Sequence, residues 1–383
     1  VTSLGDILKT HVDDGTVPGA VGLVAHGGRT EAVAVGFADT EGTTPLARDS
    51  VFRIASLTKP VVAAALMMLV DEGRIALGDP VGTWLPELAS PSVVRTPDAP
   101  VDDVVPATRP ITVIDLLTSR TGYGFPPDFS FPAVAPLFSE GLQAPTQPQV
   151  PPAPDEWLAR LSRIPLLHQP GEAWLYHTSS DLQGALIARV SGRPLPEFLA
   201  ERLFEPLGMT DTGFHVPAAR LDRFTGLYRH GPDGGLELAD APDGQWSRPP
   251  AFPSGGGGLV STADDWHAFA RLLLADGTAP DGRRLLSPTA IRRMTTNHLP
   301  RPERETNRVF LEGQGWGFGG SVDVTPTDPW NVPGRYGWTG GTGTTAHIVP
   351  STGVCTLLLT QVEMSSAAPP ALMRAFWAHA TRP

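Results

Sequence analysis

The sequence predicts an α/β protein of the α+β kind: one antiparallel sheet flanked by helices, with a mainly helical lobe inserted into it. Three observations predict this. Residues 17–39, VPGAVGLVAHGGRTEAVAVGFAD, hold two short runs rich in Val and Ala around His26-Gly27-Gly28, the pattern of a hairpin. Residues 344–362 repeat the pattern around Pro350-Ser351-Thr352-Gly353, and 369–380 reads as a closing helix. Between the two ends, apolar residues fall at helical spacing over 60–73, 112–118, 155–163, 180–190, 196–204, 263–275 and 288–295. Strands at both termini with helices between them place 1–55 and 305–383 in a sheet lobe and 56–304 in a helical lobe. Two irregular segments, 89–110 and 124–154, are longer than ordinary connections. The second carries Phe125, Phe129, Phe131 and Phe138, too apolar for a solvated linker, and reads as a lid or cleft wall beside the site.

Composition narrows the function. A chain of 383 residues that is 41% hydrophobic, with a formal net charge of -11, is a mildly acidic globular protein large enough for two lobes. That charge excludes nucleic acid as an ordinary partner, because phosphate binding needs a basic surface. Cys355 is the only cysteine, so no intrachain disulfide forms, and GVCTLLLT around it reads as a buried strand. The longest apolar run, 61–70, is too short for a bilayer, which needs about 20 residues. With no signal-like leader at Val1, a soluble cytoplasmic protein is favoured, and its oligomeric state stays open. The ten histidines show no H-E-x-x-H and no Cys/His cluster, so neither metal nor cofactor is expected. No G-x-S-x-G elbow appears, which disfavours a Ser-His-Asp α/β-hydrolase.

The chemistry begins at RIASLTKPVVAA, residues 53–64. Basic residues number 29, yet only Lys9 and Lys59 are lysines, and Lys59 follows Ser56 by three positions at the mouth of an apolar run. If a helix starts near Ser56, Pro60 falls in its first turn, where a missing N–H costs nothing, and Ser56 and Lys59 share a face. A serine hydroxyl needs a neighbouring base to become a nucleophile. Arginine cannot serve, whereas a desolvated lysine can move toward neutrality. Two routes remain open: Lys59 is the base, or it stays charged and turns a tyrosine into one.

Two further segments converge on this pair. Tyr176, one of four tyrosines, ends an irregular stretch just before a helix start at Ser179 or Ser180. In YGWTGGTGTTAHIV (336–349) a strand-like run carries Gly340, Gly341 and Gly343, and glycine within a strand marks close approach of a ligand or another backbone. A free N–H such as that of Gly341, with that of Ser56, forms an oxyanion hole in this reading.

Together these segments resemble the three motifs of the serine β-lactamase and penicillin-binding-protein superfamily. Ser56-Leu57-Thr58-Lys59 resembles the first motif, Tyr176-His177-Thr178 the Tyr-x-Asn motif of class C enzymes, and Trp338-Thr339-Gly340 the Lys/His-Thr/Ser-Gly motif. LLTSRTGY (116–123), FEPLGMTDTGF (204–214) and GGGGLVSTADDW (255–266) are similar to further stretches of the family. The resemblance implies a β-lactamase/transpeptidase-like fold. It implies Ser56 as the acylated nucleophile, Lys59 and Tyr176 sharing proton transfer, and Ser56 and Gly341 N–H groups as the oxyanion hole. Trp338, Thr339, Gly340, Thr178, His177 and Tyr123 are the expected substrate-binding residues, with Trp246 as a further pocket wall.

Two departures bear on substrate. Trp338 stands where the family has a cation near a substrate carboxylate, and Thr178 replaces the Asn of the second motif. Both changes resemble family VIII carboxylesterases and related acyltransferases, so an uncharged acyl ester is the expected substrate. Arg335 does not substitute for the missing cation, because its odd spacing from Trp338 points it to the other side of a strand. The alternatives are a β-lactamase, a D-alanyl-D-alanine carboxypeptidase, an acyltransferase to a non-water acceptor, and a non-catalytic acylated ligand sensor.

Overall fold

The computed structural model describes residues 2–381. Helix α1 (Leu4–Asp13) opens the chain. It is absent from the sequence reading, although Ser3 and Asp6 cap it reciprocally: Ser3 Oγ accepts from the Asp6 N–H and the Asp6 carboxylate from the Ser3 N–H. The hairpin β1 (Gly19–His26) and β2 (Arg29–Gly36) follows, turning at Gly27 and Gly28, which both have positive φ.

The chain then enters α2 (Thr58–Asp71), which is buried without a break from Thr58 to Leu69 because almost every residue in that run is apolar. Packed against it is α3 (Thr178–Ser191). This helix starts before the expected Ser179 or Ser180, and both serines are buried inside it. α4 (Ala263–Leu274) lies against the strands of the large sheet, so the chain returns to the sheet lobe well upstream of the expected residue 305.

The sheet is completed by short strands β3 (Gly315–Trp316) and β4 (Ser321–Val322), then β5 (Tyr336–Gly340), β6 (Thr344–Val349) and β7 (Val354–Thr360). Its order is β2-β1-β7-β6-β5-β4-β3, with every pair antiparallel. Helix α5 (Ala371–Ala380) closes the chain against α1.

Alternation along the strands divides the core. Leu357 and Leu359 of β7 face the large cluster shared with α2 and α4, while Leu358 faces Leu4, Leu8, Phe376 and Trp377 of the terminal helices. Gly22 lets α1 sit close, since a Cβ there would lie 3.2 Å from both Leu4 and Leu8. The long segments are ordered: 89–110 contains a small hairpin, Ser92–Val94 with Val104–Pro106, and 124–154 contains a short helix, Ala135–Ser139. Within the latter, Phe125, Phe129 and Phe138 cluster together, whereas Phe131 packs against a separate group that includes Val94 and Leu167.

Candidate active site

Ser56 lies in a 3₁₀ turn, Ala55–Leu57, which feeds directly into α2, and Lys59 is the second residue of that helix. The turn is fastened from three sides. Thr58 Oγ1 donates to the Ala55 carbonyl at 2.7 Å and accepts from the Leu259 N–H at 3.1 Å. Thr342 Oγ1, in the loop between β5 and β6, donates to the Arg53 carbonyl (2.6 Å), and Thr344 Oγ1, at the start of β6, donates to that of Ile54 (3.1 Å). Gly340 completes the contact, because a Cβ there would lie 2.5 Å from the Ile54 carbonyl oxygen. The end of β5 therefore rests on the backbone leading to Ser56.

Beyond it the chain turns through Gly341, closed by the Gly343 N–H on the Gly340 carbonyl (3.0 Å). In such a turn the N–H of the second residue, here Gly341, is not consumed by the turn itself. Beyond its own two chain neighbours, nothing lies within 4 Å of the place a Gly341 Cβ would occupy.

Tyr176 reaches the same point from the stretch just ahead of α3, pinned by reciprocal backbone bonds with Phe125 at 2.9 and 3.0 Å. Its hydroxyl donates to Ser56 Oγ at 2.7 Å, and Trp338 Nε1 donates to the Tyr176 hydroxyl oxygen, also at 2.7 Å. Lys59 Nζ lies 3.0 Å from Ser56 Oγ and 4.5 Å from the centre of the Tyr176 ring. Burial, opposed by Asp181, lowers Lys59 from 10.5 to about 7. Burial raises Tyr176 to about 12, against hydrogen bonds from Ser56 and Trp338. The buried amine is therefore the group that can release its proton near neutral pH, whereas the phenol keeps its own.

Aromatic rings pack around the tyrosine. Tyr176 contacts Trp338 (5.6 Å between centroids), Phe310 (5.2 Å) and Trp174 (5.8 Å), and Trp316 stands edge-on to Trp338 at 4.8 Å; the three tryptophans are buried. Phe129 and Phe138, which pack against Phe125, are exposed, as is Val309, next to Phe310 in the chain. Arg335 is buried on the other side of the sheet, facing Asp323 and the Trp377 ring.

Several expected binding residues sit elsewhere. Tyr123 is buried, and its hydroxyl donates to the carbonyls of Ile164 (3.0 Å) and Leu161 (3.3 Å), tying down the end of helix Pro154–Leu161. Thr178 is wholly buried in the first turn of α3. Trp246 packs with Phe224 and the buried Arg53 in a cluster apart from the main core, and it also lines the small cavity bordered by His177 and Asp181. His177 lies behind Lys59, its Nδ1 3.2 Å from Nζ, and the cavity it borders on its far side measures about 20 Å³, room for roughly one water. Thr339 is half-buried beside Trp338. Asp181, Gly256 and Phe310 join the site without having been singled out. The His-x-x-x-Asp spacing at the start of α3 is a signal that could have revealed Asp181.

A buried lysine beside a serine at the mouth of a core helix, with a tyrosine bridging from the chain just ahead of a second helix, defines a class: the serine enzymes of the β-lactamase superfamily. The family model described as Beta-lactamase matches residues 4–375, and the chain belongs to that family. Protein Rv1367c of Mycobacterium tuberculosis (strain ATCC 25618 / H37Rv) is 39% identical over 360 residues, covering 91% of this chain and 87% of its own. Esterase EstB of Burkholderia gladioli is 30% identical over 380 residues, covering 92% and 88%. The solved structure of EstCE1, a hydrolase with promiscuous acyltransferase activity, superposes with a TM-score of 0.79 at 24% identity, covering 98% of this chain and 96% of that one.

Proposed function

We propose that the protein is a carboxylesterase that cleaves uncharged acyl esters through an acyl-enzyme on Ser56. The observation that carries this reading is Trp338. Its indole N–H is spent on the Tyr176 hydroxyl and its rings pack into an aromatic cluster with Tyr176 and Trp316, so the third motif offers a substrate no cation for a carboxylate. Arg335, three residues ahead of Trp338 in the chain, is buried and paired on the opposite side of the sheet. The similarity to esterase EstB supports the same conclusion.

In this mechanism Lys59 takes the Ser56 proton as Oγ attacks the acyl carbon. The oxyanion settles between the N–H groups of Ser56 and Gly341. Tyr176, already donating to Ser56 Oγ, hands its proton to the departing alkoxide, and the phenolate recovers the proton held by Lys59. Water entering the vacated space repeats the sequence in reverse on the acyl-enzyme.

The test is pre-steady-state kinetics with p-nitrophenyl butyrate and, in parallel, a chromogenic cephalosporin, following protein mass for an adduct on Ser56. A burst and fast turnover of the ester with a slow or absent cephalosporin reaction is the expected result. Fast cephalosporin turnover with little ester activity would refute the esterase assignment.

A further inference from the structure

Lys59 Nζ has three close partners: Ser56 Oγ at 3.0 Å, His177 Nδ1 at 3.2 Å and the Gly256 carbonyl oxygen. An ammonium supplies one N–H to each. A neutral amine has two N–H groups and one lone pair, so on deprotonation one of the three contacts must change sense. Which one changes decides whether the amine can act on Ser56.

The Gly256 carbonyl can only accept, so it retains an N–H. His177 Nδ1 accepts only if the imidazole carries its proton on Nε2. Asp181 decides that, because its Oδ2 lies 3.5 Å from Nε2. Burial by itself would raise the Asp181 carboxyl, but hydrogen bonds from His177, Ser254 and the Gly256 N–H outweigh it and keep the group ionised. The geometry agrees: Asp181 accepts from Ser254 Oγ (2.6 Å), the Gly256 N–H (2.9 Å) and Gln143 Nε2 (3.0 Å). Burial and the neighbouring Lys59 push His177 down, so its ring is neutral.

We propose that His177 and Asp181 are positioning residues that hold two Lys59 N–H bonds in place, so that the only lone pair the amine can expose faces the Ser56 hydroxyl. This rests on the reading of Ser56 as the acylated nucleophile. The contacts run in a ring: Asp181 accepts from the Gly256 N–H, the Gly256 carbonyl accepts from Lys59, Lys59 Nζ meets His177 Nδ1, and His177 Nε2 faces Asp181 Oδ2 at 3.5 Å. The opposite tautomer would donate Nδ1–H into the lone pair and block it.

The backbone is arranged for this contact. His177 has φ 80° and ψ -68°, with the Thr178 N–H on the Tyr176 carbonyl at 3.2 Å, a γ-turn of the positive-φ kind. That conformation costs about 1–3 kcal/mol for a residue other than glycine and persists only where the surroundings hold it. Here the imidazole stacks on Phe125, with 5.3 Å between centroids and 8° between planes. Gly256 has to be glycine, since a Cβ there would lie 2.7 Å from His177 Nε2. The titratable groups around Lys59 are Tyr176, His177 and Asp181, while the loop 254–258 brings only a serine and backbone.

Because the chain has only Lys9 and Lys59, 15Nζ-lysine NMR reads the Lys59 titration directly and without substrate. The experiment compares wild type, His177→Phe and His177→Asn, pairing that titration with the rate of Ser56 acylation by p-nitrophenyl butyrate. Phe keeps the ring stack and removes the acceptor. Asn places an amide oxygen near the Nδ1 position and tolerates positive φ. In His177→Phe the Lys59 midpoint moves to lower pH, because the ammonium has lost an acceptor, and acylation slows about tenfold to a hundredfold. His177→Asn recovers most of both. A midpoint that does not move in His177→Phe overturns the proposal, as does a His177→Asn enzyme as slow as His177→Phe. A wild-type protein that never acylates at Ser56 would instead defeat the esterase reading, and the NMR titration would still judge the hydrogen-bond ring.

Discussion

Replacing Lys59 with Met tests the buried amine through stability, independently of any substrate. In the folded protein burial brings Lys59 from 10.5 down to about 7, while in the unfolded chain it titrates near its ordinary value. Between these limits the unfolded state holds one more proton than the native state, so the wild-type protein gains stability as pH rises through this window and loses it as pH falls toward 7. The slope is about 1.4 kcal/mol per pH unit once the native amine is fully deprotonated. Integrated from pH 7, where the native amine is half protonated, to pH 9, the gain is about 2 kcal/mol. Lys59→Met fills a similar volume and has no such slope. Losing the bonds to Ser56, His177 and Gly256 adds an offset that is nearly constant with pH. The stability of the variant relative to wild type should therefore fall by about 2 kcal/mol from pH 7 to pH 9. Urea unfolding of both proteins at the two pH values, followed by tryptophan fluorescence, measures it. A difference that is the same at both pH values would show that Lys59 is an ordinary ammonium, and the proton-transfer scheme would fall with it.

Other outcomes follow from the same geometry. Ser56→Ala should abolish ester turnover and Lys59→Arg should nearly do so, since a guanidinium keeps the charge but takes no proton; full activity in either would refute the mechanism. Trp338→Phe keeps a ring in the wall but removes the N–H on the Tyr176 hydroxyl, a loss of about 1 kcal/mol that lowers kcat roughly fivefold to tenfold with little change in KM. Trp338→Lys should raise cephalosporin hydrolysis relative to ester hydrolysis, and an unchanged ratio would remove Trp338 from the specificity argument. Arg53→Met strands the buried Asp240 carboxylate and should cost about 3–5 kcal/mol in urea unfolding, whereas a cost below about 1 kcal/mol would mean the pair is not closed in solution.

Much of the site was legible because its first pair is local. Ser56 and Lys59 are three residues apart, and helical geometry alone makes them neighbours once the apolar run after them is recognised. Arginine in nearly every other basic position made Lys59 conspicuous. The two hairpins were legible for the same reason, since alternation and glycine turns are short-range signals. Strands β3 and β4, each two residues long, carry too little pattern to be read. Helix α4 was legible as a helix, but its apolar stripe does not say whether it covers a sheet or another helix.

The sequence by itself determined the superfamily, its kind of fold, the two terminal hairpins and most of the long helices, and it singled out Ser56, Lys59 and Tyr176, which the structure brings together. Tertiary structure alone decided that Trp338 would donate to Tyr176 across 162 positions, and that His177 would stand behind Lys59 across 118. It also turned Tyr123 and Thr178 into the core. The reason is physical. Local periodicity sets which side of its own element a residue faces, but the occupant of the space opposite is chosen by packing between distant segments, and there one strained residue at His177 redirects a side chain from the cleft to the base.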